Sequence, residues 1–405
     1  MEYGRLIAGL TRFCGDVGLA EELAQEAFVA ALEQWPNEGV PANPGAWLMT
    51  VAKRRAIDLF RRNERLAGKY AQIGRELGAH GADGPDPGRG DIDDDLLGLI
   101  FIACHPVLSL DARVALTLRL VGGLTTPEIA RAYLVPEPTI AQRIVRAKRT
   151  IARANAPFEA PRGADRSARL GSVLEVIYLI FNEGYAASAG DDWTRPELCE
   201  DALRLGRVLV HLTPDEPEVH GLVALMELQS SRIGARTDPA GGAILLADQD
   251  RTRWDQPRIA RGLAELELAK RLEGAPGPYV VQGAIAACHA RARRYDDTDW
   301  FELVELYTTL ARLTPSPVVE LNRAVAVAMA MGPKLALDLV DQIAATGALE
   351  GYHLLASVRG DLLGKLDRPA EAKIEFERAA TQTHNAQERA LCVQRARDAE
   401  AAARR

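Results

Sequence analysis

Apolar residues recur along almost the whole chain at intervals of three and four, the spacing of one face of an α-helix. No convincing series of alternating apolar and polar residues predicts strands. Of the 405 residues, 47% are apolar but only 5% are aromatic, which is typical of helices packed through small side chains. At about 150 residues per domain, this length indicates two or three domains. We therefore predict an all-α protein with more than one domain.

Two stretches rich in glycine and proline interrupt the helical pattern. The first begins at Gly78 with GAHGADGPDPGRG, has too few apolar residues to form a core, and is followed by a run of acids. We predict a flexible linker over 78–95, with the acids as a solvated lead-in to the next domain. The second break lies at 157–168. The predicted domains are 1–77, 96–156 and 170–405.

The charge of the chain is distributed unevenly. The whole sequence carries −7, which by itself argues against nucleic acid as a partner. Residues 53–69 and 139–153, however, each carry a net +5, so the remainder carries −17. Two short basic stretches in an acidic body indicate local contacts with nucleic acid.

Residues 123–153 have the pattern of a helix-turn-helix. Either Thr125 or Thr126 can cap the first helix, and Pro127 suits its first turn. After a short turn, Pro138 starts a second helix with one apolar stripe and an opposite face of polar and basic residues. Such a face can enter a DNA major groove, although an ordinary solvated basic helix is the alternative. The stripe is Ile140, Ile144, Ala147 and Ile151, and the opposite face is Thr139, Gln142, Arg143, Arg146 and Arg149.

A second basic helix is predicted after Asn43, with Trp47 near its start and Arg54, Arg61 and Arg65 on one face. Aromatic rings beside cations suit unstacked single-stranded bases, through stacking and phosphate contacts. A structural tryptophan and a solvated face are the alternative.

The helix predicted before it, from about Asp16, has an outer face that carries Glu22, Gln25 and Glu26. An acidic surface of this kind suits a basic protein partner, and a merely solvated face is again the alternative.

Taken together, residues 1–155 resemble a bacterial RNA polymerase sigma factor of the sigma-70 family, extracytoplasmic-function type. LAEELAQEAFVAALEQW is similar to the helix of sigma domain two that docks on the β′ clamp helices of core RNA polymerase. NPGAWLMTVAKRRAIDLFRRNER is similar to the segment that melts and reads the minus-ten element. GLTTPEIARAYLVPEPTIAQRIVRAKRTI is similar to sigma domain four, which reads the minus-thirty-five element and packs on the β flap.

The resemblance assigns roles to particular residues of this chain. The polymerase contacts would be Glu22, Gln25 and Glu26. The minus-thirty-five contacts would come from the polar face of the second helix of the helix-turn-helix. The minus-ten contacts would be Trp47, Lys53, Arg54, Arg55, Asp58, Arg61 and Arg62.

About 235 residues follow the second sigma-like segment, and they predict a helical extension. Five small or apolar positions recur 36 residues later in the order small, apolar, small, aromatic, small, a degenerate tetratricopeptide match. The resemblance extends to sigma factors with such an extension, which is thought to regulate them and could bind a protein or peptide. A simple helical bundle is the alternative, and six residues could serve packing or interaction. These are Asn182, Glu183, Tyr185, Trp193, Trp254 and Trp300.

No catalytic signature accompanies these features. The sequence contains no phosphate-binding loop of the GxxxxGK[ST] type, no GxSxG elbow and no HExxH pair. The five dispersed cysteines suggest neither disulfides nor a metal site. We predict no enzymatic activity, no cofactor, no metal, no membrane partner and a cytoplasmic location. The functional alternatives are a stand-alone helix-turn-helix repressor with a ligand-sensing helical domain, and a tetratricopeptide scaffold with incidental basic helices.

Overall fold

A computed structural model gives the architecture of the chain. It describes residues 2–62, 89–133, 135–158, 161, 164–187, 193–238 and 242–404. Within these ranges the regular structure is helical, with eighteen α-helices, a π-helical segment and short 3₁₀ turns, and the β-structure is an isolated bridge between Thr237 and Ala243. The prediction of an all-α fold is confirmed. The chain divides into two compact units, Met1–Leu179 and Ile180–Arg405.

The first unit contains the two sigma-like segments. Its helices are α1 (Glu2–Cys14), α2 (Val17–Glu38), α3 (Pro44–Arg62), α4 (Arg89–Ala103), α5 (Leu110–Thr117, continued as a π-helix over Leu118–Gly122), α6 (Thr126–Ala132), α7 (Glu137–Arg153) and the first part of α8 (Ala164–Tyr185).

Helix α1 is central to this unit, because it packs against α2, α3, α4 and the π-helix. Gly4 permits the close approach, since a Cβ there would lie 3.3 Å from the carbonyl oxygen of Val121. Asp16 starts α2 by accepting a hydrogen bond from the amide of Leu19 at 2.9 Å. Gly39 ends it with a φ of 86°, in the left-handed region that favours glycine.

Part of each predicted break is helical. Residues 78–88 of the predicted linker lie outside the described residues, but 89–95 form the first turns of α4 rather than linker. They are helical because the apolar run from Leu96 continues the helix into the core, and Asp95 forms an ion pair with Arg12 of α1 at 2.9 Å. Likewise, α8 begins at Ala164, inside the second predicted break.

The second unit holds the end of α8 and ten further helices. These are α9 (Pro196–Leu212), α10 (Pro217–Ser230), α11 (Gln256–Arg271), α12 (Pro278–Arg291), α13 (Trp300–Leu313), α14 (Pro317–Met331), α15 (Pro333–Ala345), α16 (His353–Lys365), α17 (Pro369–Gln382) and α18 (Ala386–Ala403). Residues 170–179, predicted as the start of the extension, pack with the first unit instead. There Ser172 donates to the carbonyl of Cys104 at 2.8 Å, and Arg113 pairs with Glu175 at 3.0 Å.

The repeat positions of the extension lie on successive helix pairs, α14–α15 and α16–α17. Nine of the ten positions are buried, and Ile343 is partly buried against the same core. Gly360 faces Phe376 so closely that a Cβ at 360 would lie 2.8 Å from the aromatic ring. The internal period is thus explained by paired helices, while the tetratricopeptide assignment itself stays a prediction. The positions are Ala324, Val327, Ala336, Val340, Ile343, Gly360, Leu363, Ala372, Phe376 and Ala379.

Candidate functional site

The helix-turn-helix is built as the sequence predicts. The amide of Thr125 donates to Glu128 Oε2 at 2.7 Å, and the amide of Glu128 donates to Thr125 Oγ1 at 3.4 Å. This reciprocal arrangement is a capping box, and it identifies Thr125, rather than Thr126, as the residue that caps α6. The apolar stripe of α7, predicted from its spacing, is fully buried: Ile140, Ile144, Ala147 and Ile151.

Burial of that stripe leaves the polar face of α7 turned outward. Thr139, Gln142, Arg146 and Arg149 are exposed. Arg143 is partly buried, because its Nη2 atom lies 3.1 Å from Asp111 Oδ2 on α5. The face therefore offers an exposed hydroxyl, an amide and two guanidinium groups on one helix, a donor set that fits base edges and phosphates.

The structure divides the predicted minus-ten residues on α3 into two groups. Arg54, Asp58 and Arg61 are exposed, whereas the other described side chains contact the protein itself. Lys53 Nζ lies 5.7 Å from the ring centroid of Phe13. Arg62 ends α3, and its side chain lies outside the described ones.

Trp47 and Arg55 both turn toward α2. The rings of Trp47 and Trp35 have centroids 5.4 Å apart. Arg55 Nη1 lies 2.9 Å from Glu26 Oε2, so a residue predicted to contact DNA is paired with one predicted to contact protein. Trp47 remains partly exposed.

An open groove of about 470 Å³ lies along the outer face of α2. It is lined by the three predicted polymerase contacts, Glu22, Gln25 and Glu26, together with Val29 and Arg55. Sequence reasoning missed Val29, and it missed Leu32, which is 76% exposed. The signal was available, because residues 22, 25, 29 and 32 share one helical face, and an exposed apolar pair among acids is typical of a contact surface.

Sequence reasoning also missed a buried ion cluster centred on Glu21, which is 3% exposed. Arg119 Nε of the π-helix donates to Glu21 Oε1 at 2.6 Å, and Lys148 of α7 pairs with the other oxygen. Gln25 donates to the same carboxylate at 3.1 Å. Burial and the nearby Glu21 charge raise the pKa of Tyr3 beside it. This Glu21 cluster joins α2 of the first sigma-like segment to the second segment.

The described part of the chain was also searched for metal-binding clusters, reactive cysteines and membrane-spanning helices. No three histidine, cysteine, aspartate or glutamate side chains there converge as a metal site requires. The five cysteines are buried thiols, and burial raises the pKa of Cys104 to about 11 and that of Cys199 to about 12. Among the described helices, none combines the length and apolar content that crossing a bilayer demands.

Comparisons with known proteins agree with this division. Residues 1–66 match Sigma-70 region 2, residues 99–151 match Sigma-70 region 4, and residues 169–270 match a family of unknown function, DUF6596. An uncharacterized protein of Rhizobium meliloti is 45% identical over 397 residues, which cover 95% of this chain and 90% of the relative.

More distant relatives carry a functional name. The protein called ECF RNA polymerase sigma factor SigK, in Mycobacterium tuberculosis and Mycobacterium bovis, is 29% identical over 160 residues. The match covers 36% of this chain and 78% of the relative. No solved structure matches significantly. The chain belongs to the sigma-70 family; it fits the extracytoplasmic-function type and carries a carboxy-terminal extension.

Proposed function

We propose that this sigma factor docks on core RNA polymerase through the α2 groove, captures the minus-ten strand with α3 and reads the minus-thirty-five duplex with α7. The observation that carries the proposal is one compact unit with an acidic, partly apolar groove on α2 and an exposed basic face on α7. The chain would supply binding energy and specificity to initiation.

Docking on the β′ clamp helices is supported by the composition of the α2 groove. Glu22 and Glu26 present negative charge beside exposed apolar Val29 and Leu32, a combination that fits a basic partner with apolar patches. Arg55 closes one side of the groove and orients Glu26 through their ion pair. We therefore assign Arg55 to the polymerase side of α3 instead of to DNA.

Promoter reading is supported by the exposed residues of α3 and α7. Gln142 and Arg146 have side chains that bind adenine and guanine edges bidentately, and Arg149 suits a phosphate. On α3, Arg54 and Arg61 are open to solvent and can hold the backbone of a melted strand. Trp47 can expose one edge to a base while it packs on Trp35.

In this structure α1–α3 pack against α4–α7, an arrangement that we call the closed form. The closed form is too short to contact both promoter elements at once. Centres 25 base pairs apart are about 85 Å apart along B-DNA, at 3.4 Å per step. In this structure α3 contacts α2, and α2 contacts α7 through the Glu21 cluster. Since helices are about 10–12 Å thick, α3 and α7 lie within a few helix diameters of each other. Initiation then requires α1–α3 to separate from α4–α7.

The extension regulates this activity in the proposed scheme. Support comes from its organisation as a second compact unit with its own core and with exposed apolar side chains on its surface, such as Phe301 and Ile374. Exposed apolar residues of this kind fit a protein or peptide partner.

Run-off transcription with core RNA polymerase, on genomic fragments and with the full chain, tests the proposal. We expect specific initiation that depends on the chain, and co-purification of the chain with core. The absence of both specific initiation and co-purification would contradict the proposal. Tight, site-specific binding of the chain to duplex DNA without polymerase would instead favour a repressor.

A further inference from the structure

The second unit contains a group of cationic and aromatic side chains that the sigma-factor function does not use. Arginines, aromatic rings and a histidine adjoin one another between the end of α8 and α12. We call them the arginine–aromatic cluster. Its members are Tyr185, Trp193, Arg232, Arg236, Arg251, Trp254 and His289.

One half of the cluster is built around Arg236, which is 6% exposed. Its guanidinium carbon lies 3.8 Å from the ring centroid of Tyr185 and 4.7 Å from that of Trp193. Its Nη1 donates to the carbonyl oxygen of Tyr185. Arg232 approaches the same tyrosine ring at 5.3 Å. Two guanidinium groups therefore share one aromatic ring, and the hydroxyl of Tyr185 is buried without a hydrogen-bond partner in the described residues.

The other half is built around Arg251. Its Nη1 donates to the carbonyl oxygens of His289 at 2.5 Å and Ala292 at 2.8 Å, and its guanidinium lies 4.7 Å from the Trp254 ring. Its Nε and Nη2 atoms are buried and make no hydrogen bond to a described residue. The same is true of Trp254 Nε1 and His289 Nδ1. Four buried nitrogen atoms, three of them N–H donors, thus lack a hydrogen-bond partner among the described residues.

The charge of this cluster is compensated only at longer range, by Glu388 near Arg236 and by Asp297 near Arg251. Among the described residues, no carboxylate lies within 4 Å of Arg232, Arg236 or Arg251, although ion pairs are common elsewhere in the unit. Burial, and next the charge of Arg232, lower the pKa of Arg251. Burial and then repulsion from Arg232 and Arg251 lower the pKa of His289 to about 4. An uncompensated buried cation is costly, because its desolvation is not offset by a partner.

We propose that the arginine–aromatic cluster is a binding site for a small anion that carries a carboxylate or phosphate group. Both groups accept the paired N–H bonds that a guanidinium offers, and both would satisfy the orphaned donors of Arg251 and Trp254. The aromatic faces hold the arginines in place, so the donors are oriented before the anion arrives.

The burial of the site favours a small molecule over a macromolecule. Arg236 and Trp254 are 6% and 4% exposed, so a protein or nucleic acid surface would not reach them. The site lies wholly within the second unit, so it does not depend on the proposed promoter contacts.

Thermal unfolding of the full chain tests the proposal, with inorganic phosphate and succinate as probes against chloride at equal ionic strength. At about 100 times its Kd, a bound anion should raise Tm by about 5–10 °C. A shift with phosphate alone or with succinate alone assigns the ligand class. A shift with neither would overturn the proposal.

Arg232→Gln separates anion binding from a merely structural role. Arg232 repels Arg236 and Arg251, so its removal should raise Tm in chloride by a few degrees and abolish most of the anion-induced rise. If the cluster were only structural, the same change would lower Tm in chloride, and that result would count against the proposal. Arg251→Gln should also abolish the anion-induced rise, but it removes two backbone hydrogen bonds and tests folding at the same time.

Two arginines outside the cluster provide matched controls. Arg312→Gln removes an exposed charge on α13, and Arg146→Gln removes one from the basic face of α7. Both variants should keep the full anion-induced rise in Tm. Loss of the rise in Arg146→Gln, with its retention in Arg232→Gln, would place the anion on the DNA-binding face and refute the site.

Discussion

The basic faces of α3 and α7 use arginine differently from the ion pairs that connect helices in the second unit. On α3 and α7, Arg54, Arg61, Arg146 and Arg149 are exposed, and no described carboxylate lies within 4 Å of them. In the second unit several arginines instead pair with a buried acid, as Arg359 does with Glu375.

The clearest case in the second unit is Glu227, which is 1% exposed and accepts from both Arg207 and Arg261. Net charge would not reveal this difference, because it counts a paired and an unpaired cation alike. The exposure and the partner of each guanidinium show which arginines are open to solvent and which connect helices.

The largest effect is expected at the α2 groove. Glu26→Lys places a cation beside Arg55 and reverses the charge offered to a basic partner. We expect at least about a 100-fold loss of affinity for core RNA polymerase, since charge reversal at a docking site costs several kcal/mol. Fluorescence anisotropy with labelled core measures it.

Glu38→Lys is the matched control, because Glu38 is exposed on the same helix but far around it from the groove. The affinity of the Glu38→Lys variant for core RNA polymerase should stay near that of the wild type. Equal losses in both variants would show that general charge, and not the groove, governs docking.

In the second unit, Arg359→Ala should act on stability alone. The change leaves Glu375 buried without the Arg359 partner that lies 2.5 Å from it, which costs about 2–3 kcal/mol. We expect Tm to fall by several degrees in differential scanning calorimetry, with unchanged affinity for promoter DNA in the holoenzyme. A loss of DNA affinity without a fall in Tm would remove the contrast between the units.

On α7, Arg146→Ala should do the reverse. It removes an exposed cation without a described partner, so Tm should stay within about 1 °C. Promoter affinity of the holoenzyme should fall about 5–10-fold, and the slope of log K against log salt should become shallower by about one if a phosphate contact is lost. An unchanged affinity and slope would show that Arg146 does not touch DNA.

At the Glu21 cluster, Glu21→Gln keeps the shape of the side chain and removes the charge that holds Arg119 and Lys148. The closed form should lose about 1–3 kcal/mol, because two cations lose their common partner. Energy transfer between dyes on α3 and α7 should report a larger distance, and affinity for core should rise. An unchanged distance would contradict a role for this contact in closure.

The last effect is expected from pH. Because burial holds the pKa of His289 at about 4 in the folded state against 6.5 when exposed, only the unfolded chain takes up the proton between these values. Stability should therefore decrease as pH falls from about 7 toward 4. In the His289→Gln variant, the free energy of unfolding should differ less between pH 7 and pH 5 than in the wild type. Urea unfolding at both pH values measures this difference. An identical pH dependence in both proteins would argue against a neutral, buried His289.

Local features of this fold could be predicted from sequence, and distant ones could not. The buried stripe of α7 and the capping box of α6 each depend on residues within one or two helical turns. Spacing and composition along the chain were therefore enough to predict them. The Glu21 cluster joins residues 98 and 127 positions apart, and the arginine–aromatic cluster draws on several elements of the second unit. Contacts between residues so far apart in sequence leave no periodic pattern from which they could be predicted.

The Glu21 cluster has a consequence for competition among initiation factors. If only the opened chain binds core, the apparent Kd equals the intrinsic Kd divided by the opened fraction. Each 1.4 kcal/mol that the cluster contributes to closure then raises about tenfold the concentration at which this factor displaces a rival. A single buried carboxylate would thus set an expression threshold, below which the protein accumulates without redirecting transcription.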